Sequence, residues 1–262
     1  IAVYNRSDNL RLILAAYNRQ TFKDFEVIIA DDGSGPDIEA VVDEAKKKYE
    51  FQIKHIWHED KGWRKNIMLN KAIRASDSDY LVFTDGDCIP HRRFLEDHFS
   101  EREDRKVLCG RRVEMSERWS GQLTAEHILS GAHEQIGLAE LWDVIIGKAV
   151  NIEEGLRFNS KILSSAFHRK VRGILGSNFS IHKKDIEDIN GFDELYNGPG
   201  CGEDSDIQFR LGLIGIECKP LRHKGIQFHI HHPRAAASQA CIQRFEEMNR
   251  KGDFRCEYAL SK

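Results

Sequence analysis

"FEVIIADD", residues 25–32, is a continuous apolar run that stops at two acids. A strand buried on both faces reads this way, because a parallel sheet covered by helices leaves neither face wet. The stretch that follows, "PDIEAVVDEAKKKY", opens with a proline suited to a first helical turn and sets Ile38, Val41, Val42 and Ala45 on one face. The alternation continues along the chain. "FQIKHIWHE" reads as a strand, "WRKNIMLNKAIRAS" as a helix with Ile67, Leu69, Ala72 and Ile73 inward, and "YLVFTD" and "KVLCG" (106–110) as strands. Strands spaced by helices predict a mostly parallel sheet with right-handed crossovers, an α/β fold.

Composition narrows the function classes. The chain has 262 residues, 31% of them charged, and a formal net charge of -3, which does not suit a general nucleic-acid binder. No apolar run approaches the roughly 18 residues of a membrane span, and no signal peptide is visible. Six cysteines are scattered without a C-x-x-C pair, so zinc spacing is absent and reduced thiols in a cytosolic protein are expected. "IAVYNR" leaves a first strand that is short for a buried sheet, and residues upstream of it are expected.

One domain is expected over 1–234. Within it, 1–115 forms the sheet, 116–172 is a helical insertion and 173–234 returns to mixed structure; 235–262 reads as a polar helical extension. The insertion includes "LAELWDVII" and ends in the basic stretch His168-Arg169-Lys170-Val171-Arg172. A helical cover over the sheet is one reading of it. A surface facing a membrane or an acceptor phosphate is the other.

The pattern D-x-D occurs three times, as Asp77-Ser78-Asp79, Asp85-Gly86-Asp87 and Asp204-Ser205-Asp206. In open α/β sheets ligands sit beyond the carboxyl ends of strands. Asp31-Asp32 and Asp85-Gly86-Asp87 both hold that position and converge on one crevice, whereas Asp77-Ser78-Asp79 precedes its strand and reads as a solvated turn. In "DGDCIP" Ile89 and Pro90 break the pattern of an EF-hand calcium loop. Ile89 also fits poorly with a phosphatase whose first aspartate is the nucleophile. A divalent cation shared between Asp87 and the oxygens of a diphosphate remains, since Mg²⁺ or Mn²⁺ needs only one or two carboxylates plus phosphate. Gly86 would let the backbone approach that ligand. Between the two acidic strand ends lies "HEDKGWRKN" (58–66), where Lys61 and Arg64 flank a glycine at a helix start and offer a diphosphate contact.

The order "YNR", "TFKDFEVIIADDGSG", "HEDKGWRKN", "YLVFTDGDCIP", "GSNFSIHKKDIEDINGFDE", "GEDSDIQFRL" resembles the family 2 glycosyltransferases of GT-A fold, a Rossmann-like nucleotide-binding architecture. The bacterial soluble members with a galactosyltransferase-like carboxyl-terminal region are the most similar, and the resemblance covers most of 1–234 outside the insertion. It implies that 1–115 holds a nucleotide sugar and that 173–234 carries the acceptor side and the catalysis. Asp32 resembles the family's base-binding aspartate, with Tyr4 and Arg6 lining the same pocket. Asp85 resembles the residue near the ribose and Asp87 the metal ligand, with Mn²⁺ or Mg²⁺ as cofactor. Asp204 matches the catalytic base, Glu203 an acceptor-hydroxyl contact, and Asn178 a donor-sugar or acceptor contact. "FHIHHP" resembles the region that supplies a histidine to the metal, which the family pattern places at His229 or His232. Relatives commonly carry Trp-Gly before the E-D pair, but this chain has "NGPGCGEDSD", so the sugar platform is sought in Trp63, Tyr196 or Trp119. The preceding glycines, Gly202 among them, suit a mobile substrate loop.

The activity implied is inverting, metal-dependent transfer from a nucleotide-diphosphate sugar, UDP favoured, to a saccharide or lipid-linked acceptor. The implied setting is bacterial surface polysaccharide synthesis, in the cytoplasm or peripherally on the inner face of the membrane. Neither a Q-x-x-R-W motif nor a membrane span points to processive polymerisation. Two other classes stay open: a nucleotidyltransferase, although "VYNRSDN" lacks a Gly-rich basic loop, and a non-catalytic nucleotide-sugar-binding domain of a larger assembly protein. Acids in the first turn of "EDSDIQFRLGLIG" also have a purely structural use, stabilising the helix dipole.

Overall fold

The run at 25–32 forms strand β2 (Glu26–Asp31), flanked by two parallel neighbours, β1 (Ala2–Val3) and β3 (Gln52–Trp57). The computed structural model describes residues 1–158, 173–198, 203–221, 223–233 and 236–260. A second group contains β4 (Tyr80–Phe83), β6 (Lys106–Cys109), β8 (Phe179–His182) and β9 (Glu217–Pro220). Ala2 joins the two groups: its N–H donates to the Thr84 carbonyl at 3.0 Å, and its carbonyl accepts from Gly86 N–H at 2.7 Å. A Cβ on Gly86 would lie 2.9 Å from that carbonyl. Gly86 is therefore required by the approach of β1. The resulting order is β3-β2-β1-β4-β8-β6-β9, parallel throughout except for β8.

Alternate residues of these strands feed two cores, one on each face. Val27 and Ile29 pack with Leu10 and Ile13 of α1 (Ser7–Asn18) and with Val41 and Val42 of α2 (Pro36–Lys48). Leu81 and Phe83 pack on the other face with Met68 and Ile73 of α3 (Lys65–Ala75) and with Ile207 and Leu211 of α9 (Glu203–Leu213). All four residues expected inward on α2 are buried. On α3 the apolar periodicity was an incomplete guide: Ile67 and Ala72 are half-buried, while Asn66 and Asn70 are buried. Both asparagines are satisfied by backbone, Asn66 donating to Asp193 O and Asn70 pairing with Phe192 through both its N–H and its carbonyl.

A small separate sheet lies beside the carboxyl ends of the main strands. Its middle strand, β10 (Gln227–His229), runs antiparallel to β5 (Cys88–Pro90) and parallel to β7 (Arg112–Glu114). The register sets His229 opposite Cys88 on one side and Glu114 on the other. α4 (Phe94–Glu101) follows β5, and α8 (Lys183–Asp188) follows β8.

The helical insertion is broken into short pieces: α5 (Glu117–Gly121), α6 (Ala125–Ser130) and α7 (Leu138–Ile145). Trp119 and Ile128 join the first core, so this part covers the sheet domain. α7 turns Glu140 and Asp143 inward to Arg118, and leaves Leu138, Trp142 and Ile145 exposed. The basic stretch 168–172 lies outside the described residues. In the carboxyl-terminal extension α10 (Gln239–Lys251) is anchored by Arg244, which pairs with buried Asp193 at 2.7 Å. Among the described residues no helix is long and apolar enough to cross a membrane.

Asp206 has a structural role. It faces Arg210 one turn along α9 at 2.5 Å, with both side chains buried, and Arg210 also donates to the Ile189 carbonyl. Removing one partner of a buried pair leaves the other charge uncompensated. Arg210→Ala is expected to lower the unfolding free energy by about 3–5 kcal/mol, read by urea denaturation, with full stability in that variant refuting the assignment.

Candidate functional site

The carboxyl ends of β2, β3 and β4 bring the acids of the two strand-end motifs together. Asp31 is used by the turn: it accepts from Ser34 N–H at 2.9 Å and contacts His55 at 2.9 Å. Asp32 faces the cleft edge, with one oxygen on His58 at 2.8 Å and the other accepting the Arg64 backbone N–H at 2.8 Å. Tyr4, half exposed, donates its hydroxyl to Asp60 at 3.0 Å. Gly33 has φ +92°, and a Cβ there would meet the Asp60 backbone at 2.6 Å, so the loop 58–64 lies directly on the turn after β2. Tyr4, Asp32, His58 and Asp60 thereby cluster beyond the carboxyl end of β2. Arg6 is exposed at the start of α1.

The cation beside the D-x-D motif is neither of those expected. Lys61 is exposed and pairs with Glu59 at 3.0 Å, and the Arg64 guanidinium bonds the Glu59 carbonyl. Lys65, the next residue, pairs with Asp85 at 2.8 Å. Burial alone would depress the Lys65 ammonium, but Asp85, then Glu203 and Asp204, hold it above its ordinary value. Sequence reasoning named Lys61 and Arg64 as diphosphate contacts and did not single out Lys65. α3 begins at Lys65 while the Arg64 N–H is taken by Asp32, and this capping geometry decides which side chain turns to the cleft.

Lys65 is also coupled to the first two residues of α9, Glu203 and Asp204. Burial pushes the Glu203 carboxyl up to about 7, with Lys65 opposing and Asp204 adding to the rise. Burial likewise raises Asp204, against the pull of Lys65 and of the Gly176 N–H that it accepts at 2.7 Å. Two neighbouring carboxyls kept from ionising early are fitted to taking a proton near neutral pH.

The third part is built by the small sheet. Asp87, His229 and His232 each point one candidate ligand atom to a common point, all within 4.8 Å of one another. The Asp87 carboxylate lies 3.0 Å from His232 Nε2 and 3.5 Å from His229 Nε2. Burial would raise Asp87, but the two histidines overcome it and hold the carboxyl well below its usual range. Both imidazoles are raised in turn, His229 against its burial and His232 chiefly by Asp87. One carboxylate oxygen and two imidazole nitrogens on one side form an open donor set suited to a divalent cation such as Mn²⁺. The sequence left His229 and His232 as alternatives; the structure brings both to Asp87. His231 is turned away, its backbone N–H donating to Ser120.

Asn178 is a correction. Its side chain is fully buried, donating to the Arg111 and Gly225 carbonyls while its oxygen meets His98 at 3.1 Å. With these bonds made it ties the main and small sheets together and has no atom to offer a sugar. Tyr196 is also buried, while Trp63 is 38% exposed. Gly202 lies outside the described residues. A cavity of about 570 Å³ opens at the opposite, amino-terminal ends of β2 and β4, among Ile1, Phe22, Glu26, Tyr80 and Phe99, and contains none of these groups.

Comparison with known proteins bears on the fold and the family. Residues 157–233 match a family described as the N-terminal domain of galactosyltransferase. Chondroitin synthase from Escherichia coli is 27% identical over 228 residues, covering 80% of this chain and 31% of that protein. Chondroitin synthase from Pasteurella multocida is 27% identical over 246 residues, covering 89% and 24% respectively. The chain thus spans about a third or less of the length of these two relatives. Among solved structures, S. aureus TarS 1-349 in complex with UDP-GlcNAc superposes with a TM-score of 0.57 at 15% identity, over 96% of this chain and 64% of that one. A mannosyltransferase from Pyrobaculum calidifontis in complex with GDP-Man and Mn2+ gives 0.56 at 14% identity, over 89% and 56%. These likenesses establish the shared GT-A fold. The first 189 residues match the family described as glycosyl transferase family 2, and the chain belongs to that family of glycosyltransferases.

Proposed function

We propose that this chain transfers a sugar, with inversion at the anomeric carbon, from a nucleotide-diphosphate sugar to a saccharide or lipid-linked acceptor in the synthesis of a surface polysaccharide. The observation that carries the reading is that the Lys65–Asp85 ion pair is coupled to two carboxyls, Glu203 and Asp204, while Asp87, two residues from Asp85, gathers His229 and His232. The second group would serve as a cation site and the first as a proton-accepting pair. A leaving diphosphate needs the cation site, and an attacking hydroxyl needs the proton-accepting pair.

In this reading Tyr4 and Asp32 hold the base of the nucleotide and Asp85 approaches its ribose. Asp87 with the two histidines would hold Mn²⁺ or Mg²⁺, which when bound neutralises charge on the departing diphosphate. Asp204 takes the proton of the acceptor hydroxyl, and Glu203 orients that hydroxyl. A single base opposite the leaving group gives inversion. Lys65 keeps Asp85, Glu203 and Asp204 from repelling one another, and Trp63 offers an aromatic face to a sugar. UDP is favoured as the nucleotide, in keeping with the UDP-GlcNAc complex of TarS. The chondroitin synthases support a glycan acceptor. The placement in a bacterial cytoplasm, with peripheral contact at the inner face of the membrane, rests on the family resemblance.

Thermal unfolding with a panel of nucleotide diphosphates, each with and without Mn²⁺, tests the donor side. A ligand present at about 100 times its Kd adds about 2.7 kcal/mol to the folded state. UDP with Mn²⁺ is expected to raise the melting temperature beyond either alone. No shift with any nucleotide and metal together would overturn the reading.

A further inference from the structure

The cation site is backed by a carboxylate that sequence reasoning did not single out. Glu114 ends β7, opposite His229 in the register of the small sheet. Its Oε2 lies 2.7 Å from His229 Nδ1, the ring nitrogen that faces away from Asp87. Its Oε1 accepts from Arg112 Nε at 2.9 Å, and Arg112 Nη1 donates to Ser177 Oγ at 3.0 Å. Arg112 and Glu114 share one face of β7, because alternate strand residues point the same way, while Val113 between them is buried in the core. The Glu114 backbone is fixed as well, exchanging both hydrogen bonds with Val150.

We infer that Glu114 is a positioning residue for the metal, held by Arg112 and holding His229 in the tautomer that leaves Nε2 free to ligate. The inference rests on the cation site proposed above. A neutral imidazole carries one N–H. With a carboxylate against Nδ1 the proton stays there, and the Nε2 lone pair is directed to the point shared by Asp87 and His232. The carboxylate also makes the imidazole a stronger donor, as acceptors behind metal-bound histidines do. His232 has only a weaker counterpart: its Nδ1 contacts the Pro233 carbonyl at 2.9 Å, and the ring is 31% exposed. Of the two histidines, His229 is the one whose orientation is set in advance.

The test is Mn²⁺ binding, followed by the loss of free Mn²⁺ signal in electron paramagnetic resonance, with saturating UDP present. Glu114→Ala is expected to weaken Mn²⁺ affinity about 10–100-fold, the range seen when such acceptors are removed. Glu114→Gln keeps the volume and an acceptor oxygen but drops the charge, and is expected to fall between wild type and Glu114→Ala; it serves if the alanine variant does not fold. Wild-type Mn²⁺ affinity in Glu114→Ala, with or without a lowered metal-free melting temperature, overturns the inference and leaves Glu114 a packing residue. Wild-type affinity in Glu114→Gln removes any role for the charge, and if the alanine variant does not fold, it overturns the claim that the carboxylate strengthens His229 as a donor. If the wild-type chain itself binds no Mn²⁺, the cation site fails and the inference falls with it.

Discussion

Asp204→Asn is expected to lower kcat for sugar transfer by about 10²–10⁴-fold, the contribution of a positioned general base, while nucleotide binding is retained. The substitution keeps the shape of the side chain and its acceptance of the Gly176 N–H, but removes the atom that takes the proton. Glu203→Gln leaves that base in place and is expected to cost less in kcat and more in the KM of the acceptor. The pair also sets a pH dependence whose sign follows from its neutral preference. Glu203 rises from an ordinary 4.5 to about 7, and burial moves Asp204 in the same direction. The fold therefore favours the protonated form. Its stabilising contribution is complete below the ordinary carboxylate range and is lost as pH rises through about 7. Transfer needs the ionised base, so kcat/KM is expected to climb across the same window, with an apparent value that belongs to the coupled pair. In Asp204→Asn that climb disappears. Steady-state kinetics against pH, together with melting curves of the ligand-free protein, check both halves. A wild-type rate in Asp204→Asn would remove Asp204 from catalysis.

Asp87→Ala is the second large effect. The carboxylate is the only anionic group among the three candidate ligands, and without it two imidazoles, themselves left without their common acceptor, must hold the cation. Transfer assayed with Mn²⁺ or Mg²⁺ is expected to fall at least about 10²-fold, the scale on which one electrostatic stabiliser of a transition state acts. Mn²⁺ affinity is expected to fall with it. Full activity in Asp87→Ala would sink the cation site. Retained Mn²⁺ binding with lost activity would place the metal elsewhere and leave Asp87 to another role in the reaction. His232→Ala, at the half-buried histidine, is the milder companion; His229→Ala also takes from Glu114 its imidazole partner and leaves it Arg112 alone.

Much of the main sheet was legible from local pattern. β2, β3, β4 and β6 lie within the runs read as strands, and α2 buries the four residues that its spacing placed inward. Those features depend on short-range periodicity, which is written in consecutive residues. The insertion illustrates the opposite case. "LAELWDVII" does form a helix, but its acids face inward because Arg118 and Ser116 are there to receive them, and no helical period reveals such partners.

The sequence by itself determined the alternation of strands and helices and the position of two acidic motifs after strands, because strand, helix and strand end each leave a local signature. The roles expected of Asp87 and Asp204 came with the family resemblance. The tertiary structure alone decided which of the three basic residues in 61–65 meets Asp85, that Asn178 is spent on backbone carbonyls, and that Glu114 stands behind His229. Each of those outcomes is set by pairings between segments far apart in the chain, β7 with β10 and α3 with the end of β2, where a rotation of one residue turns a side chain from the cleft to solvent.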